Sequence, residues 1–513
     1  MSFTRTRPGE RQWLDPAARE LLVGRLEGAV RRARGGPGEA LAAVTVSASA
    51  VDPVAAVVAS RRAGEPWFCF EQPDRDGAAL AALGCVREIP RGPASAGIPV
   101  AGPASGGHMA ASSTRRAGSG TPSATGSSRF QTVAREWRAL AAAAIADPPD
   151  GPAGAGLVAV GGFAFSPQGA RAPQWEGFPA ASLHVPELAL ARRGGDVRLT
   201  VAALATPDDT VEHLLARIEA RLSELRADVP PPLLDPAPTG RYRVVSAMPP
   251  EHYEGAVARA VERIRAGALE KVVLAREVQV HAPRDHDPGA VLGALREGFP
   301  ECYVYAVGRG DATFLGATPE LLVRRDGERA STVALAGSTR RSADPAVDDH
   351  LGEALLRSDK DREEQAIVTR RIAHALRPHS VWVTHAPEPV LVRIANIQHL
   401  ATPIRAQLSQ PVGAMALASV LHPTPAVGGE PFAVAEPLIP QLEGFDRGWY
   451  AGPVGWTDAN GDGELCVALR CALLRGPVAH CYAGVGVVRD SVPAAELAET
   501  EVKLQALLPV LAG

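Results

Sequence analysis

Four strand-like apolar runs crowd a short part of this chain, at 302–307, 313–316, 320–324 and 331–335, joined by connections of at most six residues. A crossover helix needs about a dozen residues, so strands joined this tightly pair antiparallel. Further runs stand at 271–280 (KVVLAREVQV), 381–384, 390–396, 467–473 and 480–488. The first half adds 44–48, 67–70, 157–165, 184–190 and 197–204. Helical periodicity marks 15–34, 130–145, 210–225, 251–266, 345–356, 361–376 and 494–508. The mixture predicts an α+β chain built on large, mainly antiparallel sheets.

Composition narrows the class. Of 513 residues 46% are hydrophobic, enough for a substantial core. A net charge of −4 argues against a nucleic-acid binder, which needs a basic field. No apolar run is long enough to span a membrane. The opening MSFTRTRPGERQWL lacks the apolar stretch of a secretory leader, so a cytoplasmic protein is expected. Six cysteines form no CxxC pair, which removes zinc-ribbon and thioredoxin readings and leaves buried, reduced thiols. Residues 96–128 are rich in Gly, Ser, Ala and Thr and are expected to be a flexible insertion that limited proteolysis cuts first. The proline-rich stretch 230–238 is the best boundary candidate.

Several side chains could carry chemistry. Glu363 and Glu364 share a predicted helix, and Glu496 and Glu499 fall on one face of another, with Lys503 four residues beyond Glu499. These are either a solvated surface with a Glu–Lys pair or, if two helices converge, a carboxylate site for a hard cation such as Mg²⁺. Lys271 opens an apolar strand, as an edge residue or as a buried amine suited to act as a base. Glu320 sits at a Pro-Glu turn, either on the surface or shielded enough to hold a proton. Arg470 lies in an apolar run, VALRCAL, and needs an anionic partner. His399 and His422 stand near turns, and without HExxH or a His/Cys cluster they do not indicate zinc. The absence of a GxSxG elbow argues against a hydrolase, and the glycines of LAGS, AVGG and YAGVG lack the helix start of a phosphate loop. DANGDGE reads as a hairpin turn rather than a calcium loop.

In order, KVVLARE, FLGATPELL, LAGSTRR, SDKDREEQAIV, NIQHLATPIRA, LHPTPAVGG, FDRGWYAGPVGW, VALRCAL, YAGVGVV and ELAETEVKLQALL resemble the chorismate-utilising enzymes, and within them the isochorismate synthases. The likeness runs from about Tyr242 to the C-terminus. It implies a single large α/β sandwich of two mainly antiparallel sheets with helices packed outside. Residues 1–240 would supply the N-terminal half of the sandwich and 241–513 the chorismate-binding catalytic portion.

The resemblance also implies roles. Lys271 matches the base that activates water for attack at C2, and Glu320 the acid that protonates the departing C4 hydroxyl. Glu364 and Glu499 match Mg²⁺ ligands, with Glu496 a nearby partner of the metal that acts through water or through the ligands. Arg470 and Lys503 match cations that pair with substrate carboxylates. Gly337, Ser338 and Gly484 match substrate-contacting backbone, Ala426 the ring pocket and His399 a pocket histidine. The implied enzyme is a monomeric isomerase, an isochorismate synthase feeding menaquinone or siderophore synthesis. Salicylate synthases, which go on to eliminate pyruvate, tend to carry threonine where Ala426 stands. A non-catalytic chorismate-binding protein would be expected to have lost Lys271, Glu320 or a metal glutamate, and all are present. Gln365 stands where histidine is usual and Thr318 where serine is usual.

Overall fold

The computed structural model describes residues 12–36, 38–90, 125–235 and 238–512. The stretch expected to be a flexible insertion lies outside the described residues, except that the backbone of 125–128 opens the helix Thr125–Ala143. Among the described residues the strands form two sheets, one of twelve strands and one of ten, built from antiparallel ladders. The sandwich expected from the sequence is present. Each sheet joins early and late segments of the chain. Gly64–Gln72 pairs with Tyr303–Gly310 in the larger sheet, and Val158–Phe163 pairs with Pro453–Asp458 in the smaller.

Side-chain alternation builds the layers. Along Ala40–Ser47, Leu41 and Ala43 face the core between the sheets, whereas Ala40, Ala42 and Val44 face outward. The same split separates Phe68 and Phe70 from Trp67 and Cys69, and Tyr303 and Tyr305 from Val304 and Ala306. Helices close the outer face, with Leu22 and Leu26 from Pro16–Gly35, Leu214 and Ile218 from Val211–Ser223, and Leu292 and Leu295 from Pro288–Gly298. The larger sheet is thus buried on both faces, and its strands read as nearly continuous apolar runs.

Two expected strands divide. The run 184–190 splits into Ala181–Val185 and Leu188–Arg193 around Pro186, which has no N–H to give a ladder. The run 467–473 splits into Gly463–Val467 and Cys471–Arg475, because Arg470 takes a left-handed conformation with φ +47°. Arg470 therefore sits on a sharp turn between strands, not inside one. DANGDGE forms the expected hairpin turn, with Asp458 Oδ1 accepting from Asn460 N and Asp462 N at 2.9 Å each. All six cysteines are free and five are buried.

Candidate active site

The strand Lys271–His281 and the helix Asp359–Leu376 bring the first pair of groups together. Lys271 is fully buried at the start of its strand, and its Nζ lies 2.7 Å from Glu364 Oε1. The approach is not that of a hydrogen bond, and Nζ has no hydrogen-bond partner among the described residues. Space for the pair comes from the neighbouring strand, where Gly486 stands opposite Val273. A Cβ at Gly486 would lie 2.6 Å from Lys271 Cε and collide with Glu364 Oε1. The helix is aimed by its start, where the Ser358 hydroxyl accepts from Asp361 N.

Glu320 follows the strand Ala312–Thr318. Its carbonyl accepts from Val467 N at 2.9 Å, and its N–H donates to Thr318 Oγ1 at 3.2 Å. The Thr318 hydroxyl thus ties down the turn before Glu320. The carboxyl is buried, and burial pushes it up to about 7 against the opposing pull of Lys271, Arg470 and Lys503. It holds a proton near neutrality, as a general acid must.

A cationic pole completes the site. Between Arg329–Arg340 and Ile397–Leu408 the ladder slips at Gly337, whose φ of +72° suits glycine. The bulge turns Ser338 towards the helix Pro493–Leu504, where its hydroxyl donates to Glu499 Oε1 at 2.6 Å. Glu499 Oε1 also meets Lys503 Nζ at 2.7 Å, the pair that the i,i+4 spacing suggested. Burial pushes Glu499 up, but Lys503 and Ser338 outweigh it and hold the carboxyl below its usual range. Lys503 Nζ donates as well to Gly484 O at 2.9 Å.

His399 links this pole to Arg470. Its Nδ1 lies 3.2 Å from Gly337 O, and a carbonyl only accepts, so Nδ1 carries the proton. Nε2 then accepts from Arg470 Nη2 at 3.1 Å. Burial, with the charges of Arg470 and Lys503, lowers His399 to about 3, consistent with a neutral ring. His422 lies away from the pocket, with Nε2 donating to Phe165 O at 2.9 Å.

One narrow cavity of about 60 Å³ gathers most of the expected residues: Glu320, Gly337, Ser338, Glu364, His399, Ala426, Arg470, Gly484, Glu499 and Lys503. Lys271 lies behind Glu364 rather than in the cavity wall. A larger cavity, about 640 Å³, lies along another side of the Glu364 helix, among Arg370, Arg371 and Arg377. It gathers none of the expected site residues, so chemistry rather than room identifies the site. The sequence reading did not single out Val273, Leu335, Tyr450, Leu469 or Tyr482, which also line the small cavity. Tyr450 lies within FDRGWYAGPVGW, and that segment was the available signal.

The donor set bears on a metal. Glu364 and Glu499 reach one cavity from two helices and offer hard oxygens, which suit a cation that keeps several waters. Glu496 does not join them. It is buried off the cavity, and Lys360 Nζ donates to its Oε1 at 2.8 Å. Among the described residues no group of three or more His, Cys, Asp or Glu side chains gathers at metal-holding spacing. Gln365 turns away from the cavity, its Nε2 donating to Ala334 O and Thr402 Oγ1 at 2.9 Å each.

Known proteins resemble this chain in sequence and in fold. The salicylate biosynthesis isochorismate synthase of Pseudomonas aeruginosa is 41% identical over 389 residues, 76% of this chain and 80% of that protein. The isochorismate synthase MenF of Bacillus subtilis is 34% identical over 70% of this chain and 75% of its own. The structure of the menaquinone-specific isochorismate synthase MenF from Escherichia coli superposes with a TM-score of 0.71 at 25% identity, over 96% of this chain and all of that one. Anthranilate synthase component I from Streptococcus pneumoniae superposes at 0.57 and 25% identity, over 68% and 80%. No helix among the described residues is long and apolar enough to cross a membrane. The chorismate binding enzyme model matches residues 109–512, well over half the sequence, and the chain belongs to that family.

Proposed function

We propose that this chain is an isochorismate synthase, an isomerase that moves the chorismate hydroxyl from C4 to C2 reversibly with Mg²⁺. The observation that carries the reading is the opposition of two buried groups near one cavity. Glu320 holds its proton up to about 7, and the Lys271 amine lies behind the cavity wall with no hydrogen-bond partner among the described residues. In its uncharged amine form, released from the Glu364 carboxylate, Lys271 takes a proton from water as the water oxygen bonds to C2. The ring double bonds shift, the C4–O bond breaks, and Glu320 gives its proton to the leaving hydroxyl. One water enters and one leaves, so the product is an isomer of the substrate.

Chorismate carries two carboxylates, and Arg470 and Lys503 would pair with them. Glu364 and Glu499 are the residues that would hold Mg²⁺, which when bound supplies further positive charge to the ring carboxylate. Glu496 supports the site from behind through Lys360 rather than as a ligand.

The test is an NMR product assay on purified protein with chorismate and MgCl₂, beside a Lys271→Ala variant and an EDTA control. Isochorismate approaching equilibrium with chorismate, and lost in both controls, is the expected result. Salicylate with pyruvate would instead place the chain among the salicylate synthases. Chorismate binding without turnover would make it a binding protein.

A further inference from the structure

Arg447 follows the helix Phe432–Glu443 and is buried beside the candidate site without lining it. Each of its three nitrogens donates. Nη1 donates to Val427 O at 2.8 Å, Nη2 to Val273 O at 2.9 Å, and Nε to Glu443 Oε2 at 2.9 Å. Glu443 Oε1 in turn accepts from Ala275 N at 2.7 Å. The Phe165 ring centroid lies 4.3 Å from the guanidinium carbon.

The two carbonyls belong to different walls of the cavity. Val273 is on the Lys271 strand, and Val427 follows Ala426 in the loop that leads into the Gly429–Glu430 strand. The ladder between these segments runs from Lys271 opposite Glu430 to Val272 opposite Gly429 and then stops. One more bond, Val273 N to Gly428 O at 2.9 Å, closes the join. Where the strands part, the guanidinium fills the gap and bridges both carbonyls. A planar fork can reach two carbonyls and a carboxylate at once, which a lysine ammonium on a flexible stem does not reproduce.

We propose that the Glu443–Arg447 pair is a positioning device that fixes the Ala426 loop against the Lys271 strand and thereby decides how tightly the ring of the bound substrate is held. This rests on the isochorismate synthase reading of the same site. A buried ion pair is weak evidence for stability, since apolar residues of similar volume often do as well. The spacing of two cavity walls is a geometric task that apolar residues would not perform. A loosened ring also lets isochorismate reach the geometry for a second step. In that step the C2 hydrogen passes to the enolpyruvyl CH₂ as the C3–O bond breaks, giving salicylate and pyruvate.

The experiment compares the full-length protein with Arg447→Lys, Arg447→Met and the Glu443→Met/Arg447→Met double variant. Folding is followed by circular dichroism, products by NMR, and amide exchange at 424–428 by mass spectrometry. In folded variants, exchange in the loop quickens, pyruvate formed per isochorismate rises, and kcat/KM falls at least about tenfold, the scale on which small misplacements act. Arg447→Lys retains more activity than Arg447→Met. Folded variants with unchanged exchange, KM and product ratio would overturn the proposal. So would failure of all three to fold, which would make the pair a folding element. If wild-type protein makes no isochorismate, the activity reading fails, while faster loop exchange and weaker chorismate binding in Arg447→Lys still report on the clamp.

Discussion

Two buried ion pairs lie within a few residues of each other along one strand, and they are built in opposite ways. Glu443–Arg447 is saturated: each partner has further backbone bonds, and the guanidinium has an aromatic ring beside it. Among the described residues Lys271–Glu364 is sparse: one close contact, no hydrogen bond to Nζ, and a glycine where a side chain would have packed. A saturated pair fixes backbone, because moving either partner breaks several bonds at once. A sparse pair leaves donors and lone pairs for molecules from outside. The first is suited to holding the site's shape and the second to doing its chemistry.

The comparison is most exposed at Lys271. In Lys271→Ala, kcat should fall by about 10³-fold or more, within the range for a lost general base, with a smaller stability loss than at the saturated pair. Retention of a tenth of the wild-type rate would remove Lys271 as the base. In Glu443→Ala the order reverses. Leaving Arg447 buried without its carboxylate should cost about 3–5 kcal/mol in urea unfolding. Equal stability losses in the two variants would erase the distinction between the pairs.

Glu320 offers a pH test of intermediate size. Its folded-state value of about 7 lies above the ordinary 4.5, so the fold binds this proton more tightly than the unfolded chain does. The favourable contribution is complete below the unfolded value and is lost as pH rises through about 7. A shift of this size corresponds to roughly 3 kcal/mol. Glu320→Gln has no proton to lose, so its melting temperature should gain on wild type as pH climbs through that window. A constant gap would show that Glu320 ionises freely. Wild-type kcat should decline on the same alkaline limb. The smallest effect belongs to Gly486→Ala, whose Cβ crowds both Lys271 and Glu364. A loss of about 1–2 kcal/mol is expected for overpacking, with turnover more affected than KM.

How far the sequence could reveal these pairs differs for physical reasons. The Lys271 strand and the Glu364 helix were readable from apolar runs and periodicity, and the ordered motifs pointed to their roles. The saturated pair was not readable. The helix Phe432–Glu443 contains Pro437 and Pro440, which argue against a helix in any local reading. Its i,i+4 partner Arg447 lies beyond the helix end, after the left-handed Gly444. Arg470 was readable as a cation needing a partner, but nothing in VALRCAL signals that it breaks the strand, since neither glycine nor proline marks the turn. Glu496 shows the limit of spacing: i,i+3 placed it on the face of Glu499, yet its partner Lys360 comes from a distant part of the chain.

The carbonyl of Gly337 has a consequence for how this site meets changes in its surroundings. By fixing the proton on His399 Nδ1, it makes Nε2 a permanent acceptor for Arg470, and the ring stays uncharged from about pH 3 upward. His399 is therefore no acid-sensitive switch within the anion grip. Acidification across the ordinary assay range leaves the His399–Arg470 hydrogen bond in place, and the group beside Arg470 that gains a proton there is Glu320.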